Sequence, residues 1–228
     1  MKKLVKILGT LLLISAIVLA VFYFKNNESL PTGEQGPKAD ALATKMLKAL
    51  DYEAYKNTRF IEWSFRGKHF YKWDKEKDIV EVSWEANKVT LFTKTPEKSI
   101  VLVNEKQVNN NEILQKAIDY FNNDSFWLVA PYKVFENGIQ RRIVSYKGKE
   151  ALLVTYTTGG STPGDSYLWI LEENGRPTSY KMWVSIIPTG GMEATWSDWI
   201  TTESGAILPT KHEMPVGTLN MGNVKAYN

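Results

Sequence analysis

The stretch NNEILQKAIDYFNNDSFWLVAPYKVF, residues 110–135, decides how the chain must fold. Its first part places Ile113, Leu114, Ala117, Ile118 and Phe121 on one stripe at helical spacing. Asp124-Ser125 reads as the polar end of that helix. Beyond it, Phe126 and Trp127 stand side by side, Pro131 comes next, and Tyr132 and Phe135 add two more rings. That apolar run fits neither a helix nor a strand and is expected to cross irregularly to the next block of structure. In the segments that flank residues 110–135 directly, the apolar period is two.

Upstream, TRFIEWSFRGK (58–68) alternates Ile61, Trp63 and Phe65 with Glu62, Ser64 and Arg66. IVEVSWEANKVTLFTK (79–94) reads as two strands with Val80, Val82 and Trp84 on one face, and IVLVN (100–104) as another. Downstream, RRIVSYK, ALLVTYTT, SYLWILE, TSYKMWVSI, MEATWSDWI, AILPTKHEM and TLNMGNVKAY are separated by Gly-, Pro- and Asn-rich turns such as ENGRP (173–177). Before the first strand, ADALATKMLKALDYEAYKN (39–57) repeats Leu42, Met46, Leu47 and Leu50 at helical spacing, with Asp40 as its N-cap. The expectation is α+β: about ten or eleven antiparallel strands in one large curved sheet, covered by two helices. Two helices cannot fill the concavity of so large a sheet, so the shape invites an apolar cavity.

The N-terminus differs. MKKLVKILGTLLLISAIVLAVFYFKNN carries Lys2, Lys3 and Lys6, then no charge from Ile7 to Phe24. Residues 4–24 are long enough to span a bilayer as a helix, and the lysines place the chain beyond Phe24 outside the cytoplasm. The expected organisation is a transmembrane signal-anchor over 1–24, a flexible linker over 25–38 and an extracytoplasmic domain over 39–228. A signal peptide cleaved after Val18-Leu19-Ala20 is the alternative, releasing the domain into the periplasm.

Composition closes several routes. The chain has 228 residues and no Cys, which removes disulfides, thiolate metal sites, a thiol nucleophile and a lipoprotein anchor. Its two His, at 69 and 212, lie far apart in sequence, so no His-based metal site or triad is expected. Net charge is only +3 with both signs interspersed, which disfavours nucleic acid as partner. No nucleophile elbow, phosphate loop or calcium loop is present, so no cofactor and no metal are expected. His212-Glu213 alternates between apolar neighbours on what reads as an exposed strand face, a weak basis for hydrolysis.

Three stretches together resemble the LolA-like superfamily of bacterial lipoprotein carriers. They are ADALATKMLKAL running into a long strand, SDWITTESGAILPTKHEM with Trp199, Gly205, Leu208 and Pro209, and FWLVAPYKVF. The last is similar to the segment after the second helix in LolA-like proteins of Bacteroidetes-type bacteria. The resemblance implies an incomplete β-barrel of about eleven strands lidded by helices, with acyl chains held on its concave face. A chain tethered by a helix departs from freely diffusing carriers, which leaves acceptance, handover or local storage of a lipid.

The alternating apolar face supplies the candidate lipid-binding residues: Ile61, Trp63, Phe65, Val80, Val82, Trp84, Leu91, Val154, Tyr156, Trp169, Met182, Val184, Met192 and Trp196. For any one of them alone, plain core packing is the better claim. Phe126, Trp127, Leu128 and Tyr132 are expected to plug the cavity or form its movable lip. The expected function is non-enzymatic binding of a lipid or lipoprotein acyl chain in a cell-envelope protein facing the periplasm. An interaction module that docks another envelope protein over a closed core is the alternative, and an envelope hydrolase comes third.

Overall fold

The computed structural model describes residues 8–10, 13–15, 17, 21, 23, 26–158 and 162–228. Helices α1 (Pro37–Ala49) and α2 (Tyr52–Asn57) open the folded part. A meander comes next: β1 (Phe60–Phe65), β2 (His69–Asp74), β3 (Ile79–Trp84), β4 (Asn87–Phe92), β5 (Ile100–Val103) and β6 (Lys106–Val108). Helix α3 (Asn111–Val129) leads through a 3-10 turn at Ala130–Lys133 into β7 (Ile139–Tyr146), β8 (Lys149–Tyr156), β9 (Ser166–Leu171), β10 (Pro177–Trp183) and β11 (Met192–Thr195). The short strands β12 (Ile200–Thr201), β13 (Ile207–Leu208), β14 (Lys211–Met214), β15 (Gly217–Asn220) and β16 (Lys225–Tyr227) close the chain.

The fold is α+β with large antiparallel sheets and no closed barrel among the described residues. It is not one sheet of about eleven strands. A seven-stranded sheet runs β16-β1-β2-β3-β4-β5-β6, a five-stranded sheet runs β11-β10-β9-β8-β7, and two short ladders pair β12 with β13 and β14 with β15. The reason for the split is α3. It comes straight after the edge strand β6 and carries the chain away before β7 begins, so β6 and β7 never pair.

Helix α3 is longer than expected. Asn110 caps it, its side chain accepting from the backbone N–H of Glu112 and Ile113. The polar run at Asn122–Ser125 does not end it. The helix continues through Phe126 and Trp127 to Val129, and the 3-10 turn over Ala130–Lys133 comes next with Pro131 inside it. Helix α1 also starts differently. Gly36 precedes Pro37, so Asp40 sits in the first turn instead of capping, and its carboxylate receives the Arg141 guanidinium at 2.6 Å.

The first half of α3 lies over the seven-stranded sheet. Phe121 meets Trp63, Tyr71 and Trp73, and Tyr120 stacks on His69 at 3.8 Å and meets Trp84 edge-on. The second half lies over the five-stranded sheet, where Phe126 meets Tyr156 and Tyr167 and Trp127 meets Tyr180. One helix therefore lids two sheets.

The five-stranded sheet is buried on both faces, which is why β8 reads as the unbroken apolar run ALLV rather than alternating. Leu152 and Val154 face the main core; Ala151 and Leu153 join Val144 and Leu168 in a second cluster on the outer face. Residues 26–36 lie as a strap along that outer side. Glu34 pairs with Ile143 in both directions, at 3.0 and 2.8 Å. Gly33 passes so close that an added Cβ would sit 2.7 Å from the Ile143 carbonyl oxygen. Glu28 forms an ion pair with the buried Lys181, and its carbonyl accepts from the Trp183 indole at 2.7 Å.

Among the described residues, no helix is long and apolar enough to cross a membrane. The expected membrane segment, residues 4–24, falls largely outside them. Its described apolar members Leu8, Leu13, Ile14, Ile17 and Val21 are each more than half exposed.

Candidate functional site

Between the second half of α3 and the inner face of the five-stranded sheet lies a cavity of about 440 Å³. That volume falls in the range of ligand pockets, roughly 300–1,000 Å³. Tyr156 at the end of β8, Tyr167 on β9, and Tyr180 and Met182 on β10 form its floor. Phe121, Phe126 and Trp127 of α3 form the roof, and Val184, Ile186 and Ile187 line it from the loop after β10. Asp119, Asn122, Asn123, Lys133, Glu136, Asn137, Thr158, Thr162 and Asp165 supply the polar part of the lining.

The floor rings interlock edge to face, Tyr156 on Tyr167 at 5.7 Å and Tyr167 on Tyr180 at 5.2 Å. Tyr180 is fully buried, yet its hydroxyl has no hydrogen-bond partner. Burial pushes its phenol well above the ordinary range, so it keeps its proton. That hydroxyl is packed beneath the cavity surface and out of reach of water, an unsatisfied group of the wall. Asp165, in contrast, is satisfied: it accepts from the Ser185 N–H at 2.9 Å and the Thr162 hydroxyl at 2.5 Å, tying two loops of the mouth together.

The expected lipid-binding residues divide between the two sheets. Tyr156, Met182 and Val184 line the cavity. Ile61, Trp63, Phe65, Val80, Val82, Trp84 and Leu91 are buried on the seven-stranded sheet in the main core, away from the cavity wall. Val154, Trp169, Met192 and Trp196 belong to the same core, with Trp169 packed behind Tyr180 at 5.0 Å. Of the expected plug or lip, Phe126 and Trp127 border the cavity. Leu128 is fully buried in the core. Tyr132 stacks on Tyr55 at 3.9 Å and donates to the Leu50 carbonyl at 3.0 Å, so it joins the 3-10 turn to α1 and α2 instead.

Two polar groups contradict their sequence reading. Asp124 is not a solvated helix end but is buried where α3 meets the seven-stranded sheet. Its Oδ2 accepts from the Tyr71 hydroxyl at 2.5 Å and lies 2.7 Å from Nδ1 of His69, and its Oδ1 accepts from the Asn123 amide at 2.8 Å. Burial raises the Asp124 carboxyl, and the bonds from Tyr71, His69 and Asn123 oppose that rise. His212 is not on an exposed strand face. It is fully buried between Trp127 and Trp196, with Nδ1 2.8 Å from the Thr195 carbonyl oxygen. Burial lowers its pKa to about 4, so at neutral pH the ring is an uncharged core group. Among the described residues no group of His, Asp and Glu is placed to hold a metal ion.

Sequence reasoning missed the Asp124–His69–Tyr71 cluster and the orphaned Tyr180 hydroxyl. His69 and Asp124 are 55 positions apart, and no local signal joins them. The alternation of SYKMW does mark Tyr180 and Met182 as one strand face, which was the available clue to the floor.

No family model matches the chain, and no curated protein matches it. Among solved structures, it is similar to a DUF1329 family protein from Desulfovibrio piger, at 9% identity and a TM-score of 0.46, covering 82% of this chain and 92% of that one. It is also similar to a putative outer membrane lipoprotein-sorting protein domain from Vibrio parahaemolyticus, at 10% identity and a TM-score of 0.37, covering 81% and 93%.

Proposed function

We propose that the domain binds one amphiphile without chemically changing it, the apolar chain lying on the floor formed by Tyr156, Tyr167, Tyr180 and Met182. The observation that carries this reading is the cavity itself, apolar at floor and roof and polar elsewhere in its lining. An acyl chain suits such a site because it needs shape and apolar surface rather than matched polar contacts. Burying about ten methylenes supplies roughly 8 kcal/mol before the entropy of association is subtracted. In this reading the ligand is a lipid or the acyl chain of a lipoprotein. The domain stands on the outer side of the cytoplasmic membrane, tethered by residues 4–24, and accepts, holds or hands over that lipid.

The test is to purify the full chain in a mild detergent, extract it for mass spectrometry, and titrate it with a fluorescent fatty acid. A co-purified lipid and saturable one-to-one binding are expected. Absence of both removes the proposal.

A further inference from the structure

The loop between β10 and β11, VSIIPTGG at residues 184–191, carries no charge. It borders the cavity through Val184, Ile186 and Ile187. Ile186 is 72% exposed, in a loop that is held at both ends. At one end Ser185 donates to Asp165 at 2.9 Å. At the other, Gly190 is locked to the strap: its N–H donates to the Asn27 side chain at 2.7 Å, and its carbonyl accepts from the Glu28 N–H at 2.9 Å. The contact is tight enough to require glycine, since a Cβ at position 190 would meet the Trp183 ring at 2.4 Å and the Glu28 carbonyl oxygen at 2.6 Å.

Asn27 stands three residues beyond Phe24, where the apolar run of residues 4–24 ends. Fully extended chain reaches about 3.5 Å per residue, so the clamp lies within roughly 10 Å of that end. The headgroup layer on one side of a bilayer is itself roughly 5–8 Å deep, taking half the difference between total and hydrocarbon thickness. The strap therefore has no slack with which to hold the loop far from a bilayer spanned by that segment.

We propose that the 184–191 loop is a membrane-facing lip. Ile186 lies in the outer headgroup region of the membrane that anchors the chain, and the cavity takes its amphiphile from that leaflet through the gap beside Ile186 and Ile187. The loading step rests on the proposed amphiphile binding; the seating of the loop rests on the tether and the clamp. An uncharged aliphatic lip suits an interface, where a lone exposed Ile in water gains nothing.

The absence of Cys allows clean single-site labelling. Full-length protein carrying Ile186→Cys with a nitrobenzoxadiazole label is reconstituted in phosphatidylethanolamine–phosphatidylglycerol vesicles. The control is Val108→Cys on β6, the far edge of the seven-stranded sheet. Doxyl-labelled lipid is expected to quench the Ile186 label strongly and the Val108 label little. Equal quenching of the two, or free access of aqueous iodide to the Ile186 label, overturns the lip. A flexible Gly-Ser insertion after Lys25 lengthens the tether without touching the cavity. It is expected to slow uptake of a vesicle-borne fluorescent lipid several-fold while leaving affinity for a water-soluble fatty acid unchanged. Unchanged uptake overturns the loading step. Loss of binding to the soluble fatty acid in the parent chain overturns the cavity reading and loading together, while the label position is read without any ligand.

Discussion

The two halves of α3 cover two different surfaces. Residues up to Phe121 press onto Trp63, Tyr71 and Trp73 of the seven-stranded sheet, and Asp124 closes that side with hydrogen bonds to Tyr71 and His69. Residues from Phe126 onward stand over Tyr156, Tyr167 and Tyr180 of the five-stranded sheet with about 440 Å³ left between them. Aromatic content is similar on both sides. What differs is space, for each side buries a polar group without a partner, the Trp63 indole N–H on the first and the Tyr180 hydroxyl on the second. A packed interface and a ligand site are thus told apart by the volume left between the elements, not by which residue types line them.

The largest effect belongs to the packed side. Trp63→Ala removes a ring that stacks on Tyr71 at 4.4 Å, and it is expected to cost roughly 3–5 kcal/mol in chemical denaturation. Ligand affinity of the remaining folded protein should stay unchanged. A lost affinity would mean that the two surfaces are one site.

Next comes His212, beneath Trp127. A base whose folded pKa is lowered contributes stability that is fully present above its unfolded pKa and lost as pH falls towards the folded one. Here the window runs from 6.5 down to about 4. The expected loss across it is about 3 kcal/mol, and it should be absent in His212→Gln. Asp124 acts in the opposite sense. Its raised pKa means that the folded state holds the proton more tightly, so its contribution falls as pH rises above the ordinary carboxylate value of 3.8. Comparing denaturation midpoints of the parent, His212→Gln and Asp124→Asn across this range separates the two slopes.

The smallest effect is the sharpest. Tyr180→Phe deletes the orphaned hydroxyl, so the unliganded protein should gain about 1 kcal/mol of stability. The same variant should leave ligand affinity unchanged to within about twofold, because the deleted hydroxyl lies beneath the cavity surface. A Tyr71→Phe variant on the packed side should lose stability instead, because Asp124 forfeits a donor.

Much of the architecture was legible in the sequence, because it rests on periodicity. The stripe Ile113, Leu114, Ala117, Ile118 and Phe121 marks a helix, and the alternation in FIEWSF and IVEVSW reappears as alternating burial in β1 and β3. What could not be read was where polar residues would go. Asn122, Asn123, Asp124 and Ser125 look like a helix end. Three of them face the cavity and Asp124 finds Tyr71 and His69 on a strand far away in sequence, so the helix runs on. The division into two sheets was hidden for a related reason, since strand count says nothing about where pairing stops. Trp63 and Tyr180 are alike in local pattern. Only the packing above them makes one a core ring and the other a cavity floor.

The proposed function depends on the cavity receiving an apolar chain. Calorimetric titration of a medium-chain fatty acid into the full chain, beside a Met182→Trp variant that fills the floor, tests it directly. The prediction is one-to-one saturable binding with a negative heat-capacity change in the parent, abolished in a variant that remains folded. Equal binding by both proteins, or none by the parent, would contradict it.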